Sequence, residues 1–173
     1  MPTWVVVVLM IVAVLAAGMF RERWRISRME TWARQRGVEL RSPFAPDERA
    51  PMARLAARFE GREPRMWGVG LEGILDGAQV TIAEHETAAS GSDVSGSPNT
   101  IGVWRVLAAW PRSSGGGAAT DSDFRRLNAI GWTHGGELGT DGAWAAWRMR
   151  GNLTPALLDA IVAHLPAARR SLE

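Results

Sequence analysis

The chain has 173 residues with no cysteine and no lysine, so all 20 basic side chains are arginine, set against 18 acids for a formal net charge of +2. Disulfides, thiolate metal sites and thiol nucleophiles are thereby excluded, as are lysine Schiff-base chemistry and the lysine of a phosphate-binding loop. The length suits about one domain, large enough to bury a core without covalent staples.

The first element is the stretch from Thr3 to Phe20, eighteen residues without a charge, dominated by Val5 to Val8, Leu9, Ile11, Val12, Val14 and Leu15. As a helix it spans about 27 Å, close to the thickness of a bilayer's hydrocarbon core. Trp4 and Trp24 stand near its two ends, where an indole favours the headgroup level. A cleaved signal peptide is the competing reading. It wants a basic start, which Met-Pro-Thr does not supply, and Arg21 and Arg23 follow the small residues Ala16, Ala17 and Gly18 at once. The expectation is a retained single-pass anchor over residues 1–25, in the cell membrane, with the lipid bilayer as its first partner.

Arg21, Arg23, Arg25 and Arg28 lie just past the apolar run. The positive-inside rule therefore expects the C-terminal part in the cytoplasm. Residues 21–65 hold twelve arginines against seven acids, net +5, and residues 66–173 hold eight against eleven, net −3. Basic character is thus juxtamembrane and not a domain-wide nucleic-acid surface, so no nucleic-acid partner is expected. Arg21, Arg25 and Arg28 share a face at i, i+4, i+7. Together with Arg23 they are candidate contacts for anionic lipid headgroups, although a plain topology signal is the reading to prefer for them.

A helix is expected over Ile26–Arg36, stopped by Gly37, followed by a connector punctuated by Pro43, Pro46 and Pro51. Met52, Leu55, Ala56 and Phe59 fall at helical spacing before Gly61; these pieces make a juxtamembrane segment over 26–64. From 65 to 173 an α+β domain is expected. Trp67, Val69 and Leu71 alternate, as do Val80 and Ile82, around the turn signal Asp76-Gly77. Ile101–Trp110 reads as a further strand, between a Ser/Gly-rich stretch (88–100) and a Gly-rich one (111–120). Asp121 caps a short helix carrying Phe124, Leu127 and Ile130. Two strands follow, around 132–138 and 143–150, joined at Asp141-Gly142. Thr154-Pro155 then opens a terminal helix with Leu157, Leu158, Ile161, Val162 and Leu165 inward. This pattern implies an antiparallel sheet of about five strands with flanking helices behind the N-terminal transmembrane helix.

Candidate chemistry reads blandly. Gly68-Val69-Gly70-Leu71-Glu72-Gly73 matches the dinucleotide fingerprint, but it runs into a turn instead of opening a helix, and is better taken as a glycine-bearing strand. His134-Gly135-Gly136 resembles an oxyanion-hole element, yet no nucleophile elbow accompanies it. In Glu84-His85-Glu86 the histidine points away from both acids on a strand, so the three do not converge on one ion. His164 sits on the terminal helix near the surface, Asp121-Ser122-Asp123 reads as capping, and Asn152-Leu153-Thr154 as the approach to a cap. The nine tryptophans read as core before they read as a ligand groove. No catalytic, metal or cofactor residue is expected.

Trp32-Ala33, Arg36-Gly37-Val38, Pro43, Gly73-x-x-Asp76-Gly77-x-x-Val80, Trp144 to Arg148 and Leu153-Thr154-Pro155 follow one another behind the apolar start. In this the chain resembles a loose group of uncharacterised bacterial single-pass membrane proteins carrying one α+β domain. It departs from them at Glu84-His85, where they often show an Asp-Tyr pair. The resemblance implies the fold and no activity. The expectation is a non-enzymatic membrane-tethered module that contacts lipid or an unknown protein partner. The alternative is a small hydrolase-like or ligand-binding enzyme using His85 or His134.

Overall fold

The structure, a computed structural model, describes residues 2–44, 51–88, 102–112, 136–141, 143–170 and 172. One helix, α1, runs unbroken from Thr3–Arg36. Its 34 residues reach about 51 Å, and its N-terminal part is long and apolar enough to cross a membrane. None of that apolar part packs on the rest of the chain: Val14 is 71% and Phe20 73% exposed. The C-terminal turns differ, burying Met29, Trp32 and Ala33. Gly37 ends the helix in the left-handed region (φ 65°), its neighbour Val38 donating back to the Ala33 carbonyl.

The remainder is an open antiparallel sheet of six strands with flanking helices, an α+β fold. In chain order the elements are β1 (Glu39–Arg41), α2 (Pro51–Glu60), β2 (Met66–Leu75), β3 (Ala78–Ala88), β4 (Gly102–Pro111), β5 (Gly136–Asp141), β6 (Trp144–Arg150) and α3 (Pro155–Arg170). Across the sheet the order is β1-β2-β3-β4-β6-β5. β1 is the strand beyond the expected five. It lies in what reads as a connector and pairs with β2 through Leu40↔Leu71. Three residues are too few to show a period, which is why it is silent in the sequence.

The β2–β3 hairpin turns at Asp76-Gly77, both with positive φ (51° and 72°), the backbone of a two-residue hairpin loop. The alternation read over Trp67, Val69 and Leu71 breaks. The ladder to β3 shifts register between Trp67 and Gly70, so Trp67 faces one side of the sheet and Val69 and Leu71 the other. The three glycines of the would-be fingerprint stay on this strand as places of close approach. A side chain at Gly68 would strike the Glu84 carboxyl, at Gly70 the Phe44 ring, and at Gly73 the Val38 side chain.

Two cores result. On one face the last turns of α1 and the inner side of α3 (Leu157, Leu158, Ile161, Leu165) cover Val80, Ile82, Val106, Trp110, Trp147 and Met149. On the other, Met52, Leu55 and Ala56 of α2, with Phe44, pack on Ala83, Leu107, Ala109 and Ala146. Three alanines on that sheet face let the short helix lie close. Thr154 caps α3, its Oγ1 accepting from the Leu157 N–H at 3.2 Å. Trp110 and Trp147 are core, as expected for the tryptophans; Trp67 and Trp144 are partly buried beside α2. The helix expected at Asp121, together with Trp132 and His134, lies outside the described residues.

Candidate functional site

β3 carries Val80, Ile82 and Glu84 on one face, so the period that buries two aliphatic side chains also carries a carboxylate inward. Glu84 is 1% exposed. Four donor contacts satisfy it. Arg25 reaches it with both terminal nitrogens, each at 2.8 Å, in a forked pair. The Leu153 N–H donates at 2.8 Å and the Val69 N–H at 3.1 Å. The β2 bulge turns the Val69 N–H toward Glu84, and the missing Cβ of Gly68 leaves the carboxyl its room. Arg25 also donates to the Leu153 carbonyl at 2.7 Å and pairs with Glu22 one turn earlier. A buried ion pair of this kind holds because every polar atom has a partner.

This network joins three remote pieces of chain: α1, the middle of β3, and the turn entering α3. Burial opposes the Arg25 charge, but hydrogen bonds to Glu84 and Glu22 outweigh it, and its pKa lies above the ordinary arginine value. Glu22 is held below the usual carboxylate range by its hydrogen bond to Arg25. A second tie stands further along the same seam. Asp159 of α3 accepts from Trp32 Nε1 and from Arg36, each at 2.8 Å, and Arg36 lies over the Trp32 ring.

Between these ties and the apolar part of α1 the helix and the domain diverge, leaving a cleft of about 630 Å³. On the α1 side it is lined by Gly18, Arg21, Glu22, Trp24, Arg25 and Arg28; opposite lie Asn152, Thr154 and Pro155. Of the four arginines expected to contact headgroups, three therefore share one wall. Arg23 is exposed and outside the cleft. Arg25 is placed differently from that expectation, because its guanidinium is engaged inward by Glu84. Arg21 and Arg28 have no carboxylate partner among the described residues, and Arg28 stacks over Trp24 at 4.8 Å from the ring centroid.

The neighbouring position reads oppositely. His85 points to the α2 face, is fully buried, and neither ring nitrogen has a hydrogen-bond partner among the described residues. Its ring lies 5.2 Å from that of Trp67. Burial pushes its pKa down to about 4, with Glu60 opposing and Arg105 and Arg148 reinforcing the shift. Arg148 donates to Glu60 at 2.7 Å and to the Phe59 carbonyl, which closes this side under α2. Among the described residues no group of three or more His, Asp or Glu is placed to hold a metal ion. In the sequence Glu84, the centre of the network, shows only as one of the three members of the apparent ligand cluster Glu84-His85-Glu86. The signal that marks it is its place in the Val80-Ile82-Glu84 period.

Comparison of the chain with protein-family models, with curated proteins and with solved structures finds no match.

Proposed function

We propose that this protein is a non-enzymatic, single-pass membrane module whose domain is locked to its own anchor at the bilayer surface and there contacts anionic lipid. The observation that carries the reading is the unbroken α1, apolar and uncovered up to Phe20, then docked on the sheet within two turns through Arg25 and Glu84. The basic run from Arg21 to Arg28, with no basic side chain before it, supports a cytoplasmic domain. The hydrolase-like alternative draws no support from His85, which is closed off from solvent and held neutral at physiological pH.

The test is fractionation of cells expressing the full chain, with alkaline extraction of the membranes and determination of the protein's N-terminus. The expected result is a full-length chain resisting extraction, and no activity from a C-terminal reporter that works only outside the cytoplasm. Recovery of a soluble chain beginning near Met19 overturns the reading; an active reporter overturns the side.

A further inference from the structure

We infer that the cleft between α1 and the start of α3 is a discrete seat for one anionic phospholipid headgroup, with Arg21 and Arg28 as its phosphate ligands and Arg25 as a positioning residue. This rests on the membrane-anchored reading above and adds stoichiometry and residue roles to it.

Three features point to a phosphate. The helix wall of the cleft carries three arginines against one acid, and that acid, Glu22, is taken up by Arg25. Arg21 and Arg28 stand two turns apart, about 10 Å along the axis, and lack carboxylate partners among the described residues. A phosphate seated above Arg25 lies between them. Arg28 is steadied on Trp24, and arginine is the side chain that best matches phosphate oxygens in a forked geometry. The cleft volume lies within the range of small-molecule sites.

The source of that phosphate follows from where the cleft opens. Gly18, two residues before the end of the uncharged run, lines it at one end, and Arg28 lines it towards the domain. With Thr3 to Phe20 in hydrocarbon, the mouth stands at the headgroup layer, and the acyl chains have the uncovered Val14 and Leu15 to lie against. A zwitterionic headgroup fits poorly: its ammonium would meet only Glu22, which Arg25 already holds. Arg25 itself is turned inward to Glu84, so its part is to fix the helix and the cleft wall.

The experiment uses the full chain, purified in mild detergent, delipidated, and examined by native mass spectrometry with added phosphatidylglycerol, phosphatidylcholine or inorganic phosphate. One phosphatidylglycerol per chain is expected to be retained over phosphatidylcholine. Arg21→Gln and Arg28→Gln each weaken retention about fivefold, in line with the worth of one arginine at an anionic surface, while Arg23→Gln leaves it unchanged. Each variant is first checked for wild-type unfolding behaviour. Equal losses from Arg23→Gln and Arg21→Gln would mean diffuse attraction and overturn the seat while leaving the anchored reading intact. Equal retention of phosphatidylcholine, or displacement by millimolar inorganic phosphate, overturns it too. Failure of the anchored reading shows separately, as wild-type protein that does not float with liposomes.

Discussion

Glu84 and His85 are adjacent residues on one strand, both removed from water, and they meet opposite fates. Four donors converge on the Glu84 carboxyl, whereas among the described residues none reaches the His85 ring, and burial pushes its pKa down to about 4. The difference is one of architecture. On the α1 face a long polar side chain, a bulge and a turn all deliver donors to one point. On the α2 face small side chains and a short helix close over the imidazole and leave desolvation to decide its protonation. A buried charge ties remote segments together, whereas a buried neutral histidine makes the packing sensitive to acid.

The largest loss is expected from removing the Glu84 carboxyl. Glu84→Ala leaves Arg25 without its forked partner and frees the Leu153 turn, at an expected cost of about 3–5 kcal/mol. Chemical unfolding of the full chain in detergent, followed by tryptophan fluorescence, measures it. An unchanged midpoint would show that the network does not hold α1 to the sheet. The double variant Arg25→Leu/Glu84→Leu sharpens the point, since it should lose less than the sum of the two single changes.

The histidine gives a smaller effect that depends on pH. Its folded pKa of about 4 lies below the ordinary 6.5, so the unfolded chain binds the extra proton between those values. The associated stability is complete above pH 6.5 and is lost as pH falls toward 4, amounting to about 2 kcal/mol by pH 5. His85→Leu should flatten that part of the pH profile relative to wild type. An identical acid slope in both would contradict the neutral assignment. The smallest effect belongs to the end of the seam: Thr154→Ala should cost about 1 kcal/mol by uncapping α3, read from the midpoint of the same chemical unfolding.

Much of this architecture is readable along the chain because local rules and tertiary context agree. Asp76-Gly77 and Thr154-Pro155 are a turn and a cap by their chemistry alone, and Met52, Leu55 and Ala56 face inward at the spacing that announces them. The bulge at Gly68 is hidden because a register shift lies between strands and leaves no period of its own. The site is hidden for the same reason. Arg25 and Glu84 are 59 residues apart, and no periodicity links a juxtamembrane arginine to a carboxylate in mid-strand. Only the topology, which lays the last turns of α1 over β3, brings them together.

The absence of any joint in α1 carries a mechanical consequence. Because one hydrogen-bonded cylinder passes from Thr3 to Arg36 and is fastened near Arg25 and again at Arg36, the domain has no swivel. If α1 spans a bilayer as proposed, one thinner than the apolar stretch makes such a rod lean, and the sheet leans with it. Membrane thickness would thus set the attitude of the whole domain above the surface, as a lever transmits the angle of its shorter arm.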